Sequence, residues 1–140
     1  ILLSRINKKM ALTINKLYSD IDFTFTKKPV TGDVALSHDV QAVTRSIRNL
    51  IRTGHYDRLF NPDLGSNLNT LLFEPVSFIS ASAIESEIKS MIFAYEPRAI
   101  LQKIEVRPRI DNNAYEVSIT FYLENATLPT TTTILLERLR

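Results

Sequence analysis

Two stretches of the chain repeat their apolar residues at the 3.6-residue spacing of an α-helix. The first stretch predicts a helix from Asp39 to Arg52, whose apolar stripe consists of Val40, Val43, Ile47, Leu50 and Ile51. The second stretch predicts a helix from Ser80 to Tyr95, with a start one turn earlier, at Ser77, as the alternative. We therefore expect two amphipathic helices that bury one face each.

Residues that favour helix ends flank both stretches. Ser37 or Asp39 is predicted to cap the first helix, and Gly54 is predicted to end it in the left-handed conformation. Ser82 and Glu85 have the spacing of a capping box for a helix that starts at Ser80.

Alternating or β-branched residues predict strands in four other segments: 20–26, 104–110, 117–123 and 130–139. Pro108 lacks a backbone donor, so its strand is expected at a sheet edge or with a bulge. Asp111, Asn112 and Asn113 predict a hairpin turn. The order of the elements predicts an α+β fold, with two main helices packed on a small, mainly antiparallel sheet.

The composition is that of one soluble domain, with 140 residues, 44% hydrophobic and 23% charged positions. A formal net charge of +2 is too small to bind nucleic acid or an anionic membrane by charge alone. The absence of cysteine excludes disulfides and thiolate zinc sites. Met10 resembles a translation start, so residues 1–9 are interpreted as an N-terminal extension and 10–140 as the domain. The missing signal pattern and missing cysteine favour synthesis in the cytoplasm.

No catalytic, metal or cofactor site is predicted from the sequence. His38 and His55 lie far apart without a carboxylate cluster beside either. Glycoside hydrolysis needs two facing carboxyl groups, one with a raised pKa. Glu85 and Glu87 point away from each other on a helix, and Arg98 favours the ionised form of Glu96. We therefore expect a protein that is not an enzyme.

Two groups of charged residues remain as candidates for binding. Arg45, Arg48 and Arg52 share one face of the first helix, which is either a solvated basic surface or a docking surface. Glu96 and Arg98 flank Pro97 directly after the second helix. This triplet is either a helix stop stabilised by its own ion pair, or a rigid corner that presents Arg98 to a partner.

Several ordered fragments resemble the baseplate wedge family of T4-like contractile phages, which is similar to a baseplate subunit of type VI secretion systems. The fragments span most of the chain after Met10: residues 15–22, 45–47, Arg58, Phe60, Pro62, Gly65, 72–74 and 95–98. The resemblance implies a structural protein of the virion tail baseplate, without a cofactor, that is made in the host cytoplasm. Its implied partners are other wedge proteins and the tail sheath protein, with neither nucleic acid nor membrane.

The resemblance also implies how the protein acts. The family's Glu-Pro-Arg corner docks on a helical bundle of the wedge, which assigns partner binding to Glu96, Pro97 and Arg98. The fold is implied to be similar to the interlocking domain of sheath proteins, so that strand exchange templates sheath polymerisation. The strands at Asp20–Thr26 and Thr130–Leu139 are the expected sites of exchange.

Further expectations follow from the same resemblance. Several copies are implied in a sixfold baseplate, with a monomer when isolated, and Arg98→Ala is expected to weaken docking while leaving the fold nearly intact. The alternative function is a peptidoglycan-degrading, lysozyme-like glycosidase of the baseplate, an activity that the arrangement of carboxylates does not support.

Overall fold

The computed structural model describes residues 18–124, 126 and 128–137. Within these residues the elements are β1 Ser19–Ile21, β2 Leu36–His38, α1 Asp39–Arg52, α2 Leu68–Phe73, α3 Phe78–Tyr95, β3 Ala99–Arg109, β4 Ala114–Leu123 and β5 Thr130–Glu137. Strands β1 and β2 form one antiparallel pair, and β3, β4 and β5 form an antiparallel sheet in that order. The predicted α+β class is confirmed. The proposed extension 1–9 and the end of the last predicted strand lie outside the described residues.

Helix α1 has the predicted bounds, but its predicted caps are wrong. His38 is the N-cap and makes no side-chain capping bond. The Asp39 carboxylate instead accepts the backbone N–H of Tyr18 at 3.1 Å. At the other end Thr53 is an extended C-cap, because the chain leaves the helix to form a parallel bridge between Gly54 and Ser66. Gly54 therefore does not adopt the left-handed conformation that was predicted to end the helix.

Helix α3 confirms the earlier of its two predicted starts. Ser77 is the N-cap, and its hydroxyl accepts the backbone N–H of Ser80 at 3.1 Å. The capping box at Ser82 and Glu85 is wrong, because both residues lie inside the helix. A shorter helix, α2, forms over the apolar stretch before Pro75 and ends at Phe73.

The three-stranded sheet follows the predicted alternation. Residues Ala99 to Arg109 of β3 pair with β4, and Pro108 lies opposite Tyr115 on this edge strand, as expected. The sheet irregularity falls between Leu101 and Lys103 rather than at the proline. The turn between β3 and β4 ends with Asn113 in the left-handed conformation, at φ 48°.

The predicted strand over residues 20–26 is mostly wrong. Its extended part ends at Ile21, and its partner is β2 rather than the main sheet. The backbone N–H of Phe25 donates to the carbonyl of Asp22 at 2.9 Å, and Phe25 has φ 50°. The Asp22 carboxylate also accepts the Thr24 N–H at 3.3 Å. These local bonds favour a turn over the strand that the alternation predicts.

The core lies between the helices and one face of the sheet. It contains apolar residues of α1, α3 and the sheet, among them Val43, Ile47, Ile84, Ile88, Ile92, Val117, Ile119 and Phe121. The opposite face of the sheet is polar, and hydroxyl pairs join β4 to β5 at Thr120 and Thr131, 3.0 Å apart. One buried face and one solvated face are typical of an antiparallel sheet that packs against helices.

Candidate interaction site

The chain turns from α3 into β3 within three residues, Glu96, Pro97 and Arg98. Glu96 caps the helix, and its N–H donates to the carbonyl of Ile92 at 2.9 Å. Pro97 cannot continue the helical hydrogen bonds. The N–H of Ala99 then donates to the Glu96 carbonyl at 3.1 Å, and β3 begins. The sequence-predicted corner is therefore a tight turn fixed by backbone bonds on both sides.

The carboxylate of Glu96 is buried inside this corner. The Glu96 side chain is 2% exposed, whereas that of Arg98 is 33% exposed. The Arg98 guanidinium donates through Nε to Oε1 at 2.5 Å and through Nη2 to Oε2 at 2.7 Å. Two parallel bonds of this kind fix the position of the guanidinium as well as its charge. In this structure Arg98 has an exposed side, and the Glu96 carboxylate does not.

The pKa values of the pair follow from this geometry. Burial favours the neutral acid, but hydrogen bonds from Arg98 and Ser46 outweigh it, so the pKa of Glu96 is lowered. The hydrogen bond to Glu96 raises the pKa of Arg98 against the opposing effect of its own burial. Ser46 belongs to α1, so the carboxylate also links the corner to a second helix. The pair is ionised and structurally constrained.

Tyr18 completes the corner on its outer side. The Arg98 guanidinium carbon lies 5.5 Å from the centre of the Tyr18 ring, a cation–π distance. Tyr18 is held by Asp39, whose backbone N–H donates to the Tyr18 carbonyl at 2.8 Å. Sequence analysis did not assign Tyr18 to the site, because this contact depends on the pairing of β1 with β2. Only the fragment 15–22 of the family resemblance pointed to it.

An open apolar groove of about 780 Å³ runs from the corner along α3 and β3. Phe93 of α3 is 87% exposed and Ile100 of β3 is 55% exposed beside it. Lys89 also lines the groove. Sequence analysis missed this surface. The available signal was Phe93, an aromatic residue that falls outside the buried stripe of α3.

The three arginines of α1 do not form one free basic surface. Arg45 pairs with Asp22 at 2.8 Å and lies over the Phe23 ring at 5.7 Å. Arg48 donates to the hydroxyl of Thr132 at 3.1 Å. Arg45 and Arg48 therefore attach neighbouring segments to α1, which leaves Arg52 as the exposed, unpaired member of this face within the described residues.

The glutamates considered for hydrolysis lie in three different depressions of the surface. Glu85 borders one with Gln102, Glu87 borders another with His55, and Glu96 belongs to the corner groove. Glu87 also accepts the backbone N–H of Asn67 at 3.0 Å. Over the described ranges, neither a cluster of metal-binding side chains nor a helix of membrane-spanning length and apolarity occurs.

Comparisons with known proteins agree on a family. The model of the family "Baseplate wedge protein gp25" matches residues 37–127. The baseplate wedge protein gp25 of Enterobacteria phage T4 is 35% identical over 108 residues, which cover 77% of this chain and 81% of that protein.

Two solved structures share the fold at lower sequence identity. A Geobacter sulfurreducens protein assigned as a tail lysozyme superposes with a TM-score of 0.69 at 20% identity, covering 76% of this chain and 97% of that one. A chain of the anti-feeding prophage baseplate gives 0.58 at 22% identity, covering 88% of this chain and 87% of that one. On the family match and the identity to the phage T4 protein, this chain belongs to the baseplate wedge protein gp25 family.

Proposed function

We propose that this chain, a baseplate wedge component of a contractile tail, docks on helices of neighbouring wedge proteins through the corner and its groove. The observation that carries the proposal is the placement of exposed Phe93 and Ile100 beside a corner whose carboxylate, that of Glu96, is buried and paired with Arg98. Apolar groups in water gain free energy when a partner covers them. A rigid charged corner next to them fixes the orientation of that partner.

The three corner residues have different parts in this docking. Glu96 holds Arg98 and does not itself reach the surface of the free protein. Pro97 fixes the direction in which the chain leaves α3. Arg98 presents its exposed side, and Tyr18 lies against its guanidinium. We assign contact to Arg98 and Pro97 and a positioning part to Glu96.

The shape and charge of the groove suit an amphipathic helix. Such a helix would place apolar side chains against Phe93 and Ile100, the mode in which helices bind to apolar grooves. Lys89 lines the groove, and Arg98 lies in the chain between Pro97 and Ala99, which both line it. A carboxylate on the partner helix would pair with them and set its register. The helical bundle of the wedge that the family resemblance implies is the proposed source of such a helix.

Sheath templating forms the second half of the proposal. β5 is at one edge of the main sheet, and eight of its residues pair with β4. The other edge, β3, carries Pro108 and a register shift, two features that oppose strand addition. β1 has only three residues. We therefore assign strand exchange with the sheath protein to β5 and withdraw it from residues 20–26.

The remaining parts of the assignment concern assembly. Members of this family belong to the tail baseplate, so the proposed location of this chain is the virion baseplate. Several copies in a sixfold baseplate, a monomeric state in isolation and a likeness to the sheath interlocking domain stay predictions. We also propose that the protein has no enzymatic activity. Glu96 is paired with Arg98, and a carboxyl group with a lowered pKa does not suit a general acid.

A pair of matched variants tests the docking. Phe93→Ser removes an 87% exposed ring in the groove, and Phe78→Ser removes a 78% exposed ring at the opposite end of the same helix. Neither ring is part of the buried core. We expect Phe93→Ser to weaken binding to the purified wedge subassembly by about tenfold or more, measured by titration calorimetry. Phe78→Ser is expected to bind as the parent does, and equal binding by all three proteins would contradict the proposal.

A further inference from the structure

The segment from Gly54 to Gly65, between α1 and α2, is a loop with its own internal braces. The Asp57 carboxylate accepts the N–H of Gly54 at 2.7 Å. Across the loop, the N–H of Tyr56 donates to the carbonyl of Pro62 at 2.9 Å. We refer to residues 54–65 as the braced loop. These bonds give it a defined conformation in the free protein.

The base of the braced loop is tied to the core and to the corner. Gly65 has φ 126°, and a Cβ atom there would lie 2.6 Å from the carbonyl oxygen of Thr53, so only glycine fits. The Tyr95 hydroxyl donates to the carbonyl of Asp63 at 2.6 Å. Since Tyr95 directly precedes the corner, this bond fixes the braced loop to the end of α3 at which the corner begins.

The tip of the braced loop presents large apolar side chains to solvent. Leu59 is 93% exposed and Phe60 is 101% exposed. Arg58 precedes them, and Arg52 lies at the end of α1 next to the loop. Both arginines are exposed, and neither has an ion-pair partner within the described residues. A loop with a defined conformation that exposes phenylalanine and unpaired arginine presents two residue types that are enriched in protein interfaces.

The family resemblance includes four residues of this loop: Arg58, Phe60, Pro62 and Gly65. In the structure, two of them stabilise the loop and two have exposed side chains. Pro62 accepts the brace from Tyr56, and Gly65 permits the close approach to Thr53. Both are explained by the fold. The side chains of Arg58 and Phe60 are exposed and make no hydrogen bond, ion pair or ring contact within the described residues, so folding does not account for these side chains.

We propose that Leu59 and Phe60 form a second anchor, which inserts into an apolar pocket with carboxylates at its rim on a wedge protein that the corner also contacts. This inference rests on the proposed docking function. The braces reduce the conformational entropy that binding must remove, and the guanidinium groups of Arg52 and Arg58 suit carboxylates at the rim. A protein fits better than an anionic membrane, because Asp57 and Asp63 balance the charge of Arg52 and Arg58. Attraction to a lipid surface grows with the number of excess cations, whereas a two-bond pair between one guanidinium and one carboxylate needs no net charge.

The experiment compares Phe60→Ser with the groove variant Phe93→Ser and the control Phe78→Ser, each titrated into the purified wedge subassembly. Circular dichroism melting verifies that each variant is folded. We expect Phe60→Ser to weaken binding by about tenfold or more. Arg58→Glu is expected to weaken it as well, with a smaller salt dependence than the parent. A parallel arm measures sedimentation of the parent and of Phe60→Ser with vesicles of phosphatidylglycerol and phosphatidylcholine.

The outcomes separate this inference from the function on which it rests. Loss of binding by Phe60→Ser and Phe93→Ser supports both. Normal binding by Phe60→Ser with loss by Phe93→Ser overturns the second anchor and leaves the docking groove in place. Loss by Phe60→Ser alone supports the loop and removes the groove. Vesicle binding that needs Phe60, together with unchanged wedge binding, overturns the inference in favour of a membrane.

Discussion

Glu96 is the residue whose interpretation changes most between sequence and structure. The residues alone left a helix stop and a docking corner as alternatives, and the family resemblance assigned partner binding to Glu96 together with Pro97 and Arg98. The structure buries its carboxylate under Arg98 and within reach of Ser46. A buried carboxylate that loses its cation keeps the cost of desolvation without the compensating attraction. Arg98 is therefore both a surface residue and the counter-ion of a buried group.

This double role alters the expected effect of Arg98→Ala. We now expect the variant to lose stability as well as docking, by about 2–3 kcal/mol in the free energy of unfolding measured with urea. The value is below that for a fully buried pair, because 33% of the Arg98 side chain is exposed. The double variant Glu96→Gln/Arg98→Ala is expected to recover part of the loss. An Arg98→Ala protein as stable as the parent would show that the pair is energetically unimportant.

The lowered pKa of Glu96 predicts the pH dependence of the same stability. The ordinary pKa is 4.5 and that of the folded protein lies below it, so the unfolded chain binds this proton more readily. The stabilising contribution is complete above 4.5 and is lost as the pH falls through the lowered value. Asp22 and Glu105 also have lowered pKa values, but the parent and the variant Glu96→Gln both contain them, so their contribution cancels in the comparison. Unfolding free energies of the parent and Glu96→Gln should converge on acidification, and parallel curves would contradict this assignment.

Local chemistry explains which residue roles could be predicted. Pro97 ends α3 and Asn113 adopts the left-handed turn because these properties are intrinsic to proline and asparagine. The Arg98–Tyr18 contact joins residues distant in sequence and depends on how β1 and α1 pack. No periodicity in the chain contains that information.

At the scale of elements, both long helices and the hairpin of β3 and β4 followed from apolar spacing. The strand over residues 20–26 was wrong because the Asp22 side chain and the Phe25 backbone stabilise a turn there. The alternation in this segment produces exposed Phe23 and Phe25 rather than a buried face. Side-chain to backbone bonds of aspartate therefore overrode a pattern that favoured a strand.

The proposed exchange strand, β5, allows an internally controlled test. Removing it would also remove Thr132, Ile134 and Leu136 from the interior, so deletion would confound folding with sheath assembly. Proline substitution is better, because backbone N–H groups along a strand point alternately to β4 and to the free edge. Thr131→Pro and Thr133→Pro, at exposed positions, form one series. Thr132→Pro belongs to the other and is compared with Thr132→Ala, because both remove the buried hydroxyl that accepts from Arg48.

One of the two series should fold and the other should not. The series whose N–H groups face β4 loses a ladder hydrogen bond at each substitution and is expected to have a lower free energy of unfolding than the parent. The series that faces the free edge should fold and dock but block strand addition. Electron microscopy of assembled tails would measure sheath length. Sheaths of normal length on baseplates that carry the folded series would contradict the templating proposal.

At the scale of the whole molecule, the same elements support the fold and present the surfaces proposed for assembly. Helix α3 packs Ile84, Ile88 and Ile92 into the core and exposes Phe93 to solvent. Tyr95 connects the braced loop to the corner, and the corner leads into the sheet. The proposed docking surfaces are thus held in fixed positions relative to one another, which suits a structural component of a baseplate.

The central claim is that the corner groove is covered by wedge helices in the assembled tail. A cryo-electron microscopy structure of the baseplate that contains this chain tests it most directly. The account predicts that Phe93 and Ile100, 87% and 55% exposed in the free protein, become buried against a helix of another wedge protein. It also predicts an acidic side chain of that helix beside Arg98. A baseplate in which this face of the protein lies open to solvent would contradict the claim.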